Sequence, residues 1–216
     1  MSWSGGKDSA LALAEVRTRR SLDVVALLTT VTQDYGRVSM HGVRRTLLKA
    51  QADALGLPLV EVSITRDATN EEYETSMART LSASKEAGVA TVVFGDLFLE
   101  DLRAYREEKL RQADMKAVFP IWKSDPERLA QRFIAAGFRA VTTCVDTQAL
   151  AREFVGREFD EAFLADLPDG VDPCGENGEF HSFVYDGPIL RRAIAVRTGE
   201  KVLREGRFAF CDLVEG

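Results

Sequence analysis

The sequence has few of the residues that build disulfide frameworks and metal centres. It contains three cysteines and two histidines among 216 residues, and the cysteines (Cys144, Cys174 and Cys211) lie far apart. An odd and scattered set disfavours both a disulfide scaffold and a zinc site, and it fits a reducing compartment.

Long apolar runs are also lacking. No stretch of the sequence approaches the roughly 20 consecutive apolar residues that a membrane-spanning helix needs. The N-terminus has no basic region followed by an apolar run, so no signal peptide is expected. We therefore predict a cytoplasmic protein with no membrane contact.

Basic residues are fewer than acidic residues, so the formal net charge is -6 and the isoelectric point is about 5.1. A chain this acidic has no general attraction for nucleic acid. The densest basic stretch, residues 103–111, alternates with Glu107 and Glu108, which indicates a solvated helix face. Nucleic acid is therefore disfavoured as a partner.

The spacing of apolar residues predicts an α/β fold. Short β-branched runs at 23–31, 57–64 and 89–94 alternate with longer segments whose apolar residues recur at helical spacing. This alternation is typical of crossover connections and of a parallel sheet covered by helices on both faces. We expect a doubly wound parallel sheet.

The pattern changes in the C-terminal half of the chain. After Phe163, segments with the character of strands are separated by turns, which predicts a smaller α+β lobe. The predicted strands there are residues 180–185, 191–197 and 207–213.

The segment Ser4-Gly5-Gly6-Lys7-Asp8-Ser9 immediately precedes the first predicted helix. Adjacent glycines allow a tight turn with inward-pointing N–H groups, and the helix N-terminus adds its positive end. Lys7 contributes a charge, while Ser4 and Ser9 contribute hydroxyl groups. The segment therefore predicts a polyanion pocket, in which Asp8 fits if it holds Mg²⁺. It is not a Walker A loop, because the spacing of its glycines differs.

This hexapeptide resembles the signature of the PP-loop ATP pyrophosphatases. The resemblance implies a parallel α/β domain that cleaves ATP to AMP and pyrophosphate, usually to adenylate a substrate oxygen before a nitrogen or sulfur nucleophile attacks. A full strand precedes the loop in such proteins, whereas only Met1-Ser2-Trp3 precede it here. Either the strand is very short or the start codon is assigned late, and a truncated first strand would anchor the loop less firmly.

A second motif runs from Gly175 to Ser182, with the sequence Gly-Glu-Asn-Gly-Glu-Phe-His-Ser. Its Asn-Gly pair favours a tight turn. If a strand starts at Glu179, then Glu179 and His181 share one face, and Glu176 could join them from the turn. Carboxylates beside an imidazole suit ammonia binding or general base chemistry. The alternative is a hairpin tip with solvated acids and a packed histidine.

Placed after a PP-loop, Gly-Glu-x-Gly-Glu-Phe resembles the diphthine–ammonia ligase (diphthamide synthetase) family. Further matches are Trp3 before the loop, Gly95-Asp96 after a strand, and Phe119-Pro120-Ile121-Trp122. The resemblance implies ATP-dependent amidation of a carboxylate by ammonia, the acceptor being diphthine on a translation elongation factor. Residues 37–44 are similar to bacterial relatives and lack an aromatic-rich segment of eukaryotic and archaeal members. The resemblance therefore supports the ligase chemistry more strongly than it supports diphthine as the acceptor.

Other residues are candidates for the nucleotide site. Gly95 and Asp96 end a strand, and open parallel sheets bind ligands at the carboxyl ends of their strands. Thr29 ends the second strand and either lines the nucleotide site or is a simple β-former. His41 lies in the loop where the superfamily places adenine contacts, or it serves the start of the second helix.

We therefore expect a PP-loop ATP-binding domain at residues 1–115 and an acceptor-binding lobe at 116–216. The predicted function is an ATP-dependent amide ligase with Mg²⁺, an ammonia or amine donor, and an unknown carboxylate acceptor, either a small molecule or a protein. The sequence does not fix the oligomeric state, and a homodimer is one option. The alternatives are a tRNA- or sulfur-modifying PP-loop enzyme and a non-enzymatic ATP sensor. The predicted catalytic residues are Lys7, Asp8, Glu176, Glu179 and His181, and the predicted nucleotide contacts are Ser4, Gly5, Gly6, Lys7, Asp8, Ser9, Thr29, His41, Gly95 and Asp96.

Overall fold

Strands and helices alternate through the first half of the protein, as the apolar spacing predicts. The computed structural model describes residues 1–38 and 42–216. The N-terminal half contains α1 (Lys7–Arg19), β1 (Leu27–Thr32), β2 (Arg37–Val38), α2 (Arg45–Leu55), β3 (Leu59–Ile64), α3 (Asn70–Glu86), β4 (Thr91–Val93), α4 (Glu100–Gln112) and β5 (Lys116–Val118).

The central part of the N-terminal sheet is parallel. β1 pairs with β3, and β4 pairs with β5. The segment Met1-Ser2-Trp3 lies between the two pairs, because Ser2 N donates to Val93 O and Trp3 N donates to Leu28 O, both at 2.8 Å. The segment that leads into the glycine-rich loop is short, yet it is hydrogen-bonded on both sides in the middle of the sheet.

Helices cover this sheet on both faces, which confirms the doubly wound α/β class. Val92 and Val93 are neighbours in β4, so their side chains point to opposite faces. Val92 packs in a small core with Leu81 of α3 and Leu110 of α4, whereas Val93 belongs to the main core with α1 and α2. The two faces therefore bury different helix pairs.

The C-terminal half forms an antiparallel sheet with the strand order β7-β6-β9-β8. Its elements are α5 (Pro126–Ala135), β6 (Arg139–Asp146), α6 (Glu161–Ala165), β7 (Phe180–Asp186), β8 (Val196–Arg204) and β9 (Phe208–Glu215). The prediction of a strand at 191–197 is wrong over most of that range, since residues 191–195 form a connection and β8 continues to Arg204.

Start signals in the sequence explain where two helices begin. Thr69 caps α3 through a capping box with Glu72, and Asp125 caps α5 by accepting a hydrogen bond from Arg128 N, with Pro126 in the first turn. Within the described part of the chain, no helix is both long and apolar enough to cross a bilayer.

Candidate active site

The glycine-rich loop joins the central strand segment to α1 through a tight turn. Gly5 has a φ of +82°, a conformation that glycine adopts without strain. Gly6 N donates to Ser4 Oγ at 3.2 Å, and Ser9 Oγ donates to Gly6 O at 2.9 Å. The six predicted loop residues therefore form one compact turn at the N-terminus of α1, where N–H groups and the helix dipole favour an anion.

Lys7 is the most enclosed charge of the loop, with 3% of its surface exposed. Its Nζ donates to Asp8 Oδ2 at 2.9 Å and also to the carbonyl oxygen of Cys174. The ring centroids of Phe180 and Phe159 lie 5.2 and 5.8 Å from Nζ. Burial by itself would lower the pKa of Lys7, but the charge of Asp8, its hydrogen bond with Nζ and the charge of Asp172 outweigh burial and raise that pKa. Lys7 is therefore expected to be protonated near neutral pH.

The end of β4 packs directly against the loop. A Cβ atom added to Gly95 would lie 2.8 Å from the carbonyl carbon of Asp8 and 2.9 Å from Ser9 N, so only glycine fits this approach. The next residue, Asp96, pairs with Arg106 at 2.9 Å. Burial raises the pKa of Asp96, and the nearby charge of Asp8 raises it further. Both residues of the predicted Gly-Asp pair thus lie beside Asp8.

The second motif reaches the loop through its turn. Asp172 holds this turn, because Oδ1 accepts from Cys174 N at 3.0 Å and Oδ2 accepts from Glu176 N at 2.8 Å. Glu176 Oε1 accepts from Leu97 N at 2.7 Å. Burial raises the pKa of Glu176 to about 7, with a further contribution from the charges of Asp8 and Asp96. A carboxyl group with this pKa can accept or donate a proton near neutral pH.

Glu179 has a different environment from Glu176. It is 7% exposed, and its Oε1 accepts from Asn177 Nδ2 at 3.0 Å and from Asp172 N at 3.3 Å. These contacts lie within the turn itself. The structure therefore brings Glu176 into the group around Lys7 and Asp8, and it places Glu179 among the groups that shape the turn.

The serine of the second motif lies closer to the loop than the histidine. Lys7 N donates to Ser182 Oγ at 3.2 Å, and the Phe180 ring lies beside Lys7 Nζ. Because side chains alternate along a strand, His181 lies on the face of β7 opposite to Phe180 and Ser182. Ser182 and Phe180 are therefore the β7 side chains described in contact with Lys7, and the role predicted for His181 towards the acceptor stays a prediction.

A cavity of about 870 Å³ begins at the loop and extends between the sheet, α3 and α4. Ser4 and Thr29 line its inner end, and its wall includes Tyr73, Met77, Phe94, Tyr105 and Leu110. Thr29 is 4% exposed, and its Oγ1 has no hydrogen-bond partner among the residues that the structure describes. The volume of the cavity is in the range of small-molecule sites. His41, the other predicted nucleoside contact, lies outside the described residues.

The site's carboxylates do not by themselves form a metal cage. Over residues 1–38 and 42–216, no group of three or more His, Cys, Asp or Glu side chains is arranged to hold a metal ion. Mg²⁺ is commonly bound by one or two carboxylates together with substrate phosphates. Asp8, with Asp96 and Glu176 close enough to affect each other's pKa, fits that mode of binding.

Cys174 contributes its backbone and not its thiol. The side chain is buried, and Sγ donates to Pro126 O at 3.3 Å. Burial raises the pKa of the thiol to about 12. The thiol is therefore protonated near neutral pH, which argues against a nucleophilic cysteine.

These observations define a class of protein. A parallel α/β sheet whose central segment leads into a glycine-rich, lysine-bearing loop is the architecture of proteins that bind nucleotides at the carboxyl ends of their strands. The family profile described as diphthamide synthase N-terminal domain matches residues 1–117, and that of the diphthamide synthase C-terminal domain matches 125–214. The chain belongs to the diphthamide synthase family.

Individual relatives are similar along nearly the whole chain. The chain is 24% identical to the diphthine–ammonia ligase of Schizosaccharomyces pombe over 97% of its own length, but it spans 38% of that relative. It is 23% identical to the enzyme of that name in Danio rerio, covering 93% of this chain and 86% of the relative. The Homo sapiens protein of that name is 24% identical, with 93% and 83% covered. The family is thus one of ligase enzymes.

Proposed function

We propose that this protein is an ATP-dependent amide ligase, which adenylates a carboxylate and transfers the acyl group to ammonia or an amine, releasing AMP and pyrophosphate. One observation carries the proposal. The Lys7 ammonium group is bound both by Asp8 of the loop and by the carbonyl oxygen of Cys174, in the turn that presents Glu176. The loop and Glu176, a carboxyl group with a pKa of about 7, would thus belong to one site.

ATP would bind with its phosphates on the loop. The donors there are Gly6 N, Lys7 N and the Ser4 and Ser9 hydroxyl groups, and Lys7 supplies the charge. Gly6 N, Lys7 N and Ser9 Oγ would exchange their hydrogen bonds to Ser4 Oγ, Ser182 Oγ and Gly6 O for bonds to phosphate oxygens. The adjoining cavity starts at Ser4 and Thr29, so it can receive the nucleoside. The unpartnered Thr29 Oγ1 would hydrogen-bond to that half of the nucleotide.

The first step would be attack of an acceptor carboxylate oxygen on the α-phosphorus of ATP. A new oxygen–phosphorus bond forms, the bond from the α-phosphorus to the bridging oxygen breaks, and pyrophosphate leaves. Lys7 would stabilise the charge that develops on pyrophosphate. Mg²⁺, held by Asp8 and the phosphates, would neutralise further charge.

The second step would be attack of ammonia on the carbonyl carbon of the acyl-adenylate, with AMP as the leaving group. Ammonia is a nucleophile only when it is unprotonated. Glu176, with a pKa of about 7, would take a proton from the bound ammonium ion or from the amine after attack. The acceptor carboxylate would lie between Glu176 and the loop.

The acceptor remains open within this proposal. The relatives are named for diphthine, but residues 37–44 of this chain differ from the eukaryotic pattern, so a small carboxylic acid and a protein carboxylate are both retained. A sulfur-transfer enzyme is less well supported, because Cys144, Cys174 and Cys211, the sequence's three cysteines, are each buried as free thiols.

The test is product analysis with a pool of cell carboxylates. The protein is incubated with ATP, Mg²⁺ and ¹⁵N-labelled ammonia, nucleotides are separated by chromatography, and new amides are sought by mass spectrometry. We expect AMP and pyrophosphate together with a product that carries ¹⁵N, and Lys7→Ala as the matched control should form them far more slowly. ADP and inorganic phosphate as the main products would refute the proposal, and binding without turnover would favour the ATP sensor.

A further inference from the structure

Gln51 of α2 is a fully buried polar residue, with no exposed surface, in a helix face that is otherwise apolar. It contacts three separate parts of the molecule. Trp3 Nε1 donates to its Oε1 at 2.9 Å, while its Nε2 donates to Gly5 O at 2.9 Å and to Val184 O at 2.6 Å. One amide therefore joins the central strand segment, the phosphate loop and β7.

The chemistry of these partners determines which way the amide points. An indole N–H is only a donor, so the oxygen of Gln51 must face Trp3. The two other partners are carbonyl oxygens and only accept, so the NH₂ group must face Gly5 and Val184. Glutamine is the side chain of this size that offers one acceptor and two donors in this arrangement.

The bond to Gly5 O has a consequence for the loop. Gly5 O also accepts from Val184 N at 2.9 Å, so this carbonyl is held on the side of α2 and β7. The Gly5–Gly6 peptide bond is trans, and the C=O and N–H groups of a trans peptide point in opposite directions. Fixing Gly5 O therefore aims Gly6 N–H away from α2, towards Ser4 Oγ and the interior of the loop.

We propose that Gln51 is a positioning residue of the phosphate site: it holds the Gly5–Gly6 peptide so that Gly6 N–H is presented to the phosphates of the nucleotide. The proposal rests on the proposed function, since it takes the loop to bind phosphate. Gln51 touches no substrate itself, and it acts through the backbone of Gly5. A purely structural glutamine would affect stability without affecting pyrophosphate affinity.

Gln51→Glu tests the proposal because it keeps the size of the side chain and one of its oxygens. The substitution makes the side chain's ability to donate a hydrogen bond depend on pH. A buried carboxyl group titrates at raised pH, so at low pH the neutral acid still donates to one carbonyl oxygen. At higher pH its carboxylate faces two carbonyl oxygens and repels them. The measurement is pyrophosphate affinity by titration calorimetry with Mg²⁺, taken as the ratio of variant to wild type at pH 5.5 and pH 8.5.

We expect the ratio to be near one at pH 5.5 and the variant to bind roughly 10- to 100-fold more weakly at pH 8.5, the range for losing one hydrogen bond to a charged group. Gln131→Glu makes the same change at an exposed position of α5 and should give a flat ratio. A flat ratio for Gln51→Glu, in protein shown to be folded by circular dichroism, would overturn the proposal.

Gln51→Met provides a second, uncharged test in case the glutamate variant unfolds at high pH. Methionine fills a similar volume without hydrogen bonds, so this variant should bind pyrophosphate weakly at both pH values. Wild-type affinity in the folded methionine variant would overturn the positioning role. If the wild type itself bound neither pyrophosphate nor ATP, the proposed function would fail first, and that result is distinct from both variant outcomes.

Discussion

Replacing Glu176 with glutamine should stabilise the protein above neutral pH and leave its stability unchanged in mild acid. Glu176 has a pKa of about 7 in the folded protein, against an ordinary 4.5, because it is buried close to Asp8 and Asp96. A folded-state pKa raised in this way means that the group favours folding while it is protonated. That contribution is fully present below pH 4.5 and is lost as the pH rises towards 7.

The size of the effect follows from the two pKa values. At 1.36 kcal/mol for each pKa unit, ionising Glu176 in the folded protein costs roughly 3 kcal/mol relative to the unfolded chain. The carboxyl group is partly exposed and solvent screens its charge, so about 1–2 kcal/mol is a realistic expectation. Glutamine removes the charge and keeps an oxygen that can accept the hydrogen bond from Leu97 N.

Urea unfolding at pH 4 and pH 8.5 measures the difference directly. Glu176→Gln should match the wild type at pH 4 and exceed it by about 1–2 kcal/mol at pH 8.5, with unchanged dependence on urea. Glu153→Gln, at an exposed position, is the matched control and should change little at either pH. Equal stability of Glu176→Gln and the wild type at pH 8.5 would refute the argument that burial and neighbouring acids oppose this charge.

Three further predictions concern the loop and its surroundings. Lys7→Ala should lower the rate of AMP release by roughly 10²- to 10³-fold, the scale for losing one partner of the transition-state charge. Chromatography measures this rate, and a wild-type rate in the variant would contradict a role of Lys7 at the phosphates. Gly95→Ala should abolish ATP binding in calorimetry, because its Cβ would lie 2.8 Å from the backbone of Asp8, whereas Gly199→Ala, where the nearest atom lies at 3.4 Å, should not. With a pKa of about 12, Cys174 should resist iodoacetamide at pH 8 in the native protein and react once urea unfolds it; mass spectrometry of the native protein with Cys174 modified would contradict this.

Local signals in the sequence were sufficient for the fold class and for most element positions. Alternating β-branched runs and helical apolar spacing predict the parallel sheet, because burial of these faces is the main driving force for the arrangement. The capping residues Thr69 and Asp125 mark helix starts for local electrostatic reasons that do not depend on the rest of the fold. The PP-loop motif was visible for the same reason, since its glycines and lysine are adjacent in sequence.

Contacts between distant segments were not predictable in this way. In the sequence, Gln51 is one polar residue in an apolar helix face. Only the docking of β7 beside Gly5 shows what its amide binds. The face of β7 that meets the loop also depends on docking, so alternation alone could not tell that Ser182 Oγ accepts a hydrogen bond from Lys7 N. The strand expected at 191–197 failed because Arg191 and Ile194 bond to Ala54 and Tyr185 in a connection.

The second motif contains two carboxylates only three residues apart, and their surroundings give them opposite roles. Glu179 Oε1 accepts hydrogen bonds from Asn177 and Asp172 and so helps to hold the turn in place, while its Oε2 is buried with no hydrogen-bond partner among the described residues. Glu176 accepts one backbone hydrogen bond, from Leu97, and otherwise faces the negative charges of Asp8 and Asp96. A carboxylate that accepts hydrogen bonds from its own turn shapes a site, whereas one with a raised pKa beside a buried cation can exchange a proton there. We therefore expect Glu176, and not Glu179, to act on the nitrogen donor, with Glu179 and Asp172 keeping it in position.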